Sequence, residues 1–587
     1  MKTVLGASAA LAIAVSLLVA QAPQADPSDP VLRAMVDELE RSRALKVVDL
    51  EKPYYIEYSL EDADTFNVSA SLGSLIVSRH TRNRVPQVQV RVGDYQFDNT
   101  NHVYAGYYAG TRYDPDTWPL ENDYGLLRQC FWLATDRAYK SSVEAISRKR
   151  ALLKNAATAE TIPDFSKAPV VKILEPVKQP ALDETAWNNR IVQLSDIYKA
   201  YPELHLSLVD VQIFRGTAYF VNSEGSVARY PDTLVQLTGS ARAQAADGMP
   251  VHDLAVAARM ETGQLPSDNE LRRAFAQTAE NIRALLKAPV GEAYSGPVLF
   301  EDVAAPQLLA QLIGDNLAAP RRPVSDPNRP IPFMPSDFET RVGSRVLPEW
   351  MDVVDDATQK EWRGRPLLGH STLDLEGVPP KPVVAIEKGV LKEFITTRQP
   401  LKNFSGSTGS ARLSGNFGAR GAAISNLFVK ASQTKPAAQL KAQLIDMVKQ
   451  RNKPYGIIIR KLDYPTSAPV RELQTIMPGL MQGANGGRPV SPPVLVYRVY
   501  PDGREELVRG MRFRGLTARA LRDIVAASDE QYVLDYVNNG APFAVQGLGS
   551  YLAPTTVVAP ALLFEDLEID RAQDNLSKPP IVPPPPL

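Results

Sequence analysis

The sequence predicts an α+β fold, with mostly antiparallel sheets and intervening helices. Two patterns support this prediction: apolar residues at helical spacing in separate segments, and longer stretches in which apolar and polar residues alternate. The alternating stretches occur in both halves of the chain and are interrupted by turn residues, which favours hairpins. The order of strand-rich and helical segments therefore fits the α+β class.

The first segment, residues 1–25, has the features of a secretory signal peptide. Lys2 supplies a positive charge, residues 4–19 are mostly apolar, and small residues follow at Ala20, Ala22 and Ala25. The alternative is a retained membrane anchor, but the apolar run is short for a span and lacks a stop-transfer flank. We therefore expect an exported protein, periplasmic or secreted, with no membrane span after signal removal.

An N-terminal α+β region is predicted over residues 26–153. Helical spacing predicts an amphipathic helix over 31–45, and alternation predicts several antiparallel strands over 54–102. A second helix is expected from about 124 to 153. The following residues, 154–186, are rich in Ala, Pro, Thr and Lys, which is typical of a linker.

A middle region of strands and helices is predicted over residues 187–290. A short helix over 187–198 precedes alternating residues over 206–237, which are interrupted by the turn Asn222-Ser223-Glu224-Gly225. Ser267 then fits a helix N-cap with Glu270 as its capping-box partner, for a helix that ends near residue 286.

The rest of the chain, residues 291–570, is predicted to be strand-rich. Glu387-Lys388-Gly389 separates two short apolar runs, and Pro501-Asp502-Gly503 separates two more, so each marks a hairpin. Residues 571–587 are rich in proline and are expected to form an extended tail.

Composition narrows the classes of function. The chain has 65 Lys+Arg against 66 Asp+Glu, which argues against a nucleic-acid partner because such binders carry a basic surplus. Its single cysteine, Cys130, excludes an internal disulfide. None of the five histidines forms an HxxxH pair, so we expect no metal site in this chain. No GxSxG motif is present either, so the sequence shows no serine nucleophile of that kind.

Two further segments offer polar groups without a recognisable site. Residues 405–410 and the spaced glycines that follow resemble a phosphate-binding loop superficially, but no Walker lysine follows. A flexible or cavity-lining loop is the favoured interpretation. Asp374 and Glu376 form an acidic pair on a loop, where solvated carboxylates are the usual outcome.

Several segments, taken in order, resemble the TldD/PmbA family of metallopeptidases. They are residues 294–305 (YSGPVLFEDVAA), 374–379 (DLEGVP), 386–391 (IEKGVL), 407–412 (STGSAR), 425–428 (SNLF) and 560–567 (PALLFEDL). The resemblance covers most of the chain from about residue 190 to 569. It implies the family's architecture, a small mixed N-terminal domain with a larger, mostly antiparallel, strand-rich C-terminal domain.

The resemblance also shows which zinc ligands are missing. In zinc-bearing members the stretch continues into HExxxH; here Phe300 stands at the first histidine position and Ala305 at the second. The acid of the motif is retained as Glu301, the one weak candidate for a catalytic residue. The family's late cysteine ligand is absent, because no cysteine follows Cys130. Autonomous zinc peptidase activity is therefore not expected.

The resemblance implies a role as a pseudoenzyme. PmbA-like (TldE-type) members lack HExxxH and associate with zinc-bearing partners to cleave peptides in a shared cavity. The leading hypothesis is such a zinc-free subunit, with zinc only in a TldD-like partner and Gly406, Gly409, Gly415 and Gly418 lining the peptide. One alternative is a non-enzymatic, peptide-binding homo-oligomer of the cell envelope. Another is a hydrolase whose site involves Glu301, Asp374 and Glu376.

Overall fold

The computed structural model describes residues 28–45, 51–103, 111–113, 118–154, 162–177, 181–325, 333, 335–413, 420–463, 488, 490–538, 553–572, 580 and 582. These residues form the predicted α+β fold, with two large sheets that are mostly antiparallel. The predicted signal peptide and most of the proline-rich tail lie outside the described residues. No helix in the described part of the chain is long and apolar enough to cross a bilayer.

Seven α-helices are found among the described residues, and their ends follow from local sequence. The Asp29 side chain caps the first helix by accepting the backbone N–H groups of Val31 and Leu32, each at 3.0 Å. The capping box of Ser267 and Glu270 is confirmed. The helices are α1 (Pro30–Ser42), α2 (Tyr124–Leu153), α3 (Glu184–Ser195), α4 (Asp268–Lys287), α5 (Ala304–Leu309), α6 (Asp315–Leu317) and α7 (Ala437–Gln450).

The N-terminal sheet contains strands from both sides of the predicted linker. Its order is β4-β2-β1-β6-β7-β5, with β8 also paired to β7. The strands of this half are β1 (Pro53–Ser71), β2 (Ser74–Val92), β3 (His102–Val103), β4 (Thr111–Tyr113), β5 (Lys172–Leu174), β6 (Leu206–Asn222), β7 (Val227–Gln244) and β8 (Pro250–Arg259). Since β5 belongs to residues 154–186, that segment contributes a strand of its own, parallel to β7.

The strand pattern over residues 54–102 differs from the prediction. Two 19-residue strands, β1 and β2, replace the several strands expected there. They are joined at Leu72 and Gly73, whose φ values of 49° and 71° make the tight turn. The polar residues of β1 do not interrupt it, because they remain paired with β2 in one continuous antiparallel ladder and occupy half-exposed positions.

The C-terminal sheet has the order β15-β14-β11-β18-β24-β9-β19-β20-β21, with β22 and β23 also paired to β24. The strands are β9 (Tyr294–Phe300), β10 (Val324–Ser325), β11 (Met351–Asp355), β12 (Glu361–Trp362), β13 (Arg365–Pro366), β14 (Val383–Glu387), β15 (Val390–Leu391), β16 (Ala411–Leu413), β17 (Gly421–Ala422), β18 (Asn426–Ala431), β19 (Gly456–Leu462), β20 (Pro493–Val499), β21 (Glu505–Val508), β22 (Met511–Phe513), β23 (Ile524–Asn538) and β24 (Ala553–Arg571). Both predicted hairpins, β14–β15 and β20–β21, are present.

Strand alternation decides which face of the N-terminal sheet meets each neighbour. On β1, Tyr58 packs with α1 and α2 whereas Phe66 packs with α3 and α4, and both residues lie on the same face. Tyr55 and Glu57 point to the opposite face, where they contact residues of the C-terminal half. The N-terminal sheet therefore lies between its own helices and loops of the C-terminal half.

Candidate functional site

The two positions that resemble histidine ligands lie in the hydrophobic core of the C-terminal sheet. Phe300 ends β9 and is fully buried, with its ring centroid 5.3 Å from that of Phe564 and 6.0 Å from that of Phe513. Ala305, in the first turn of α5, is also fully buried in this core. Neither side chain carries an atom that can donate a lone pair to a metal ion.

Glu301 is retained from the motif but is bound in an ion-pair network. Its Oε1 accepts a hydrogen bond from Arg460 Nε at 2.6 Å. The same guanidinium donates to both carboxylate oxygens of Glu505, at 2.8 and 3.1 Å, and stacks over Tyr497. Because Glu301 is neutralised by a cation shared with another acid, its geometry is that of a structural ion pair rather than of a poised general base.

The residues at the motif positions do not fit a zinc ion. Within the described ranges, no three His, Cys, Asp or Glu side chains are grouped closely enough to hold a metal. The helix that would present the second ligand is instead fixed to β19 by Gln307, whose amide donates to Leu462 O at 3.1 Å and accepts from Leu462 N at 2.7 Å. No catalytic step through zinc can be derived from these residues.

A half-open cleft of about 520 Å³ lies beside α5. Its walls include β8 and β23, each of which pairs with a single strand among the described strands, although β23 also forms an isolated bridge from Ser528 to Lys435. The β8–β23 cleft, as we call it, is lined by Asp253, Leu254, Ala255, Val256, Ala257, Arg259, Pro266, Glu270, Leu271, Ala274, Phe275, Val303, Gln307, Arg365, Lys461, Leu462, Asp463, Val494, Val533, Leu534 and Asp535. Val303 lies within the segment 294–305, and Gln307 lies two residues after it.

The charges of the β8–β23 cleft are largely paired with one another. Lys461 Nζ lies 2.5 Å from an oxygen of Asp253 and also donates to Leu254 O at 2.6 Å. Arg259 and Arg365 both bind Asp535, at 2.7 and 2.6 Å. None of the described lining residues has a hydroxyl, thiol or imidazole side chain. The cleft can therefore bind a ligand, and the lysine and two of the carboxylates that line it are held in these ion pairs.

Comparison with known proteins identifies the scaffold. Residues 295–472 match the model of the PmbA/TldA metallopeptidase C-terminal domain, a stretch that contains most of β9 as well as α5 and β19. This stretch of the chain is therefore similar to the C-terminal domain of that metallopeptidase family. A search of curated proteins finds no match.

Solved structures share the fold. A candidate modulator of a DNA gyrase from Thermotoga maritima MSB8 is 15% identical with a TM-score of 0.53, over 88% of this chain and 96% of that chain. TldE from Thermococcus kodakarensis is 11% identical with a TM-score of 0.54, over 92% and 100%. A candidate modulator of DNA gyrase from Bacteroides thetaiotaomicron VPI-5482 is 10% identical with a TM-score of 0.52, over 92% and 98%. At these identities the likeness shows the fold alone.

The acidic pair on the 374–379 loop is buried rather than solvated. Asp374 Oδ1 accepts the N–H groups of Glu376 and Val378, each at 2.9 Å, and Oδ2 accepts the N–H of Ala411 at 3.1 Å. Burial raises the pKa of Asp374 to about 6. Burial and the neighbouring Asp374 carboxylate raise the pKa of Glu376 to about 7. The expectation of solvated acids was wrong because the loop lies under the N-terminal sheet.

The same loop belongs to a buried polar contact between the two halves, which we call the interdomain seam. Glu376 Oε2 accepts the backbone N–H of Arg398 at 2.5 Å. The Arg398 guanidinium, fully buried, donates to Ser166 O at 2.7 and 2.9 Å and to Glu224 Oε1 at 2.7 Å. It also stacks 4.0 Å from the Phe165 ring centroid. One side chain thus joins the C-terminal half to the predicted linker and to the 222–225 turn.

A second ion pair of the interdomain seam joins Glu57 on β1 to Arg420, with Nη2 and Oε1 3.0 Å apart and both residues buried. The Tyr55 hydroxyl donates to the other oxygen of Glu57 at 2.6 Å. Sequence reasoning missed these residues and Arg398. The alternation of β1 marks Tyr55 and Glu57 as lying on the face opposite Tyr58, but nothing local indicates their partners.

The predicted site residues are not brought together. Glu301 binds Arg460, whereas Asp374 and Glu376 belong to the interdomain seam, and the two networks share no hydrogen-bonded residue. Gly406 and Gly409 do not line the β8–β23 cleft. Gly409 instead has a φ of 74°, and a Cβ there would lie 2.5 Å from Pro380 Cα. Gly415 and Gly418 lie outside the described residues.

Proposed function

We propose that this chain is a zinc-free subunit of an exported TldD/PmbA-type peptidase, which helps a zinc-bearing partner to bind and cleave peptides. One observation carries the proposal. Phe300 and Ala305 stand at the two positions that resemble the motif histidines. Neither side chain has an atom that can bind a metal ion, and both are packed into the core. A scaffold retained without its ligands is useful to a peptidase only if another chain supplies the metal.

The β8–β23 cleft supports the peptide-binding part of the proposal. Strand edges that are open to a cleft can pair with an extended peptide through main-chain hydrogen bonds, which are independent of the peptide's sequence. The cleft's mostly paired charges leave its apolar wall residues, among them Ala255, Val256 and Val494, to contact side chains of the peptide. We infer that the cleft binds one stretch of substrate while the partner holds the scissile bond.

Export is the third part of the proposal, and it is supported by the signal-like residues 1–25. The test is a pull-down of the tagged mature chain from its native envelope, with co-purifying proteins identified by mass spectrometry. We expect a stoichiometric partner that carries HExxxH. A tagged, unrelated exported protein is the control for nonspecific capture. If the chain is recovered without such a partner, the proposal is wrong.

A second candidate, a peptide-binding homo-oligomer, is favoured by one surface feature. Leu75, Ile76 and Val77 are consecutive on β2 and are 48%, 58% and 42% exposed, which makes an apolar tip on the β1–β2 hairpin. Sedimentation of the purified chain tests this candidate. A symmetric oligomer that dissociates in Ile76→Lys would favour it, and a monomer in both proteins would exclude it.

A further inference from the structure

His80 lies in the exposed half of β2, next to the start of α3. It pairs with Phe66 on β1, and the two rings meet edge to face with their centroids 6.1 Å apart. Paired residues share a face of the sheet, and Phe66 packs with residues of α3. The His80 side chain is 37% exposed, so its ring can exchange a proton with solvent.

Each ring nitrogen of His80 contacts a carboxylate oxygen from a different element. Nδ1 lies 2.7 Å from Oε1 of Glu184, the first residue of α3, and Nε2 lies 3.0 Å from Oδ2 of Asp64 on β1. An ionised carboxylate only accepts hydrogen bonds, so each nitrogen must carry a proton to make both contacts. The geometry therefore fits the imidazolium, whereas a neutral ring, with one N–H, would leave one contact without a donor.

Charged groups reach this imidazole from four elements. Besides Asp64 on β1 and Glu184 on α3, Arg215 on β6 donates to the other oxygen of Asp64 at 2.6 Å. On β2 itself, Arg82 donates to Asp62 at 2.9 Å. The two groups that contact the ring are thus both anionic, and the two neighbouring cations are each bound to an acid.

These contacts favour the charged form of His80. The hydrogen bond with Asp64 raises the pKa of His80 above its ordinary value of 6.5; burial opposes this rise, and the hydrogen bond with Glu184 adds to it. Burial also opposes the ionisation of Asp64, yet hydrogen bonds from Arg215 and His80 lower the pKa of its carboxyl. Because the pKa of His80 is raised in the folded chain, the stabilisation is full below its ordinary value and is lost as the pH rises through the raised one.

The start of α3 has little else to hold it to the hairpin. The buried apolar residues of this helix, Ile191 and Leu194, lie in its second half. Arg190 binds α4 rather than the sheet. Among the described residues, the contact between Glu184 and His80 is the one hydrogen bond that joins the first turn of α3 to the β1–β2 hairpin.

We propose that His80, as an imidazolium, is a pH-sensitive clamp that holds the first turn of α3 on the β1–β2 hairpin and releases it when the ring loses a proton to solvent. Deprotonation removes one N–H, so one of the two carboxylates loses its donor. Ile191 and Leu194 keep the rest of the helix in place, which makes the opening local. The inference is independent of the zinc-bearing partner, because every group of the clamp belongs to this chain.

Hydrogen–deuterium exchange of the purified mature chain, followed by mass spectrometry at about pH 5.5 and about pH 9, tests the clamp on both sides of the ordinary histidine value. Rates are corrected for the intrinsic effect of pH on amide exchange. Protection at the start of α3 should be about threefold lower at the higher pH, the ratio that loss of an exposed ion pair produces. Protection of α4, which carries no part of the clamp, should stay unchanged.

Three variants separate the charge at position 80 from its packing. His80→Gln cannot become a cation and should show the weaker protection at both pH values. His80→Arg is a cation throughout and should keep the stronger protection at both. The matched control, His205→Gln, replaces an exposed histidine outside the cluster and should behave as the wild type. Thermal unfolding checks that each variant keeps the fold.

Three results would overturn the clamp. The first is equal protection of α3 at the two pH values in the wild type. The second is a loss of protection at high pH that persists in His80→Gln or His80→Arg, since the titrating group would then be another residue. The third is an NMR titration of the His80 ring with its midpoint at or below 6.5, the ordinary value.

Discussion

The β9–α5 connection and the interdomain seam differ in how they use buried side chains. At β9–α5, where the family resemblance places catalytic metal ligands, the chain buries Phe300 and Ala305 among hydrocarbon groups. At the seam it buries ionisable groups: the Arg398 guanidinium donates to Glu224, and Glu376 accepts the backbone N–H of Arg398. At the seam, burial raises the pKa values of Asp374 and Glu376, so a shifted pKa there has a structural cause.

Among the variants that test this difference between the two regions, the largest loss of stability is expected at Phe300. Phe300→Ala should lower the free energy of unfolding by about 3–5 kcal/mol, because it removes a fully buried ring and leaves a cavity. Phe300→Leu, which refills most of the volume, should cost less than about 2 kcal/mol. Urea unfolding followed by tryptophan fluorescence measures both variants. A near-neutral Phe300→Ala would show that the position is not part of the core.

At the interdomain seam, Arg398→Ala should cost about 3–4 kcal/mol, because Glu224 and the Ser166 carbonyl lose their buried cationic partner. The matched control is Arg148→Ala, which breaks an exposed ion pair with Glu144 on α2 and should cost less than about 0.5 kcal/mol. Denaturant unfolding of both variants makes the comparison. Equal costs would mean that the seam contributes no more than a surface ion pair.

The pH dependence of stability tests Glu376. Its pKa in the folded chain, about 7, lies above its ordinary value of 4.5. The stabilising contribution of the protonated group is therefore full below the ordinary value and is lost as the pH rises through about 7. We expect the wild type to lose up to about 3 kcal/mol more than Glu376→Gln between pH 5 and pH 8. Parallel pH profiles of the two proteins would contradict this assignment.

A smaller effect separates two glycines of the same segment. Gly409→Ala should cost about 1–3 kcal/mol, since the residue has a φ of 74° and approaches the Pro380 backbone. Gly406→Ala should change stability by less than about 0.5 kcal/mol, because a Cβ there meets open space. Thermal unfolding compares the two. If peptide binding by the assembled complex falls in Gly406→Ala at unchanged stability, the prediction that this glycine lines the peptide gains support.

The smallest stability effect is expected for Glu301→Gln, at most about 1 kcal/mol, because Arg460 keeps Glu505 as a partner. The variant decides between a subunit without catalytic residues and a hydrolase built on Glu301. If the proposed zinc-bearing partner is recovered, we expect its purified complex with this variant to cleave peptides at an unchanged rate. Loss of cleavage at unchanged folding would instead make Glu301 a catalytic residue.

Local sequence predicted the fold class and most element positions. Alternation over 206–237 became β6 and much of β7, helical spacing over 124–153 became α2, and the capping box starts α4. These features depend on neighbours within a few residues, where side-chain periodicity and caps act. The absence of donor atoms at Phe300 and Ala305 was equally visible, because it is a property of the residue types.

Only the tertiary structure decided which polar groups are buried and what they bind. Arg398 and Glu224 are 174 residues apart in the chain, and Arg420 and Glu57 are 363 apart. Alternation indicates that Glu57 faces away from α1 and α2, but it cannot supply the cation that makes its burial tolerable. Asp374 and Glu376 were expected in solvent for the same reason: the sheet that covers them is encoded more than 100 residues earlier. Burial of a charge depends on partners that are distant in the sequence, whereas helix and strand patterns depend on residues that are close in the sequence.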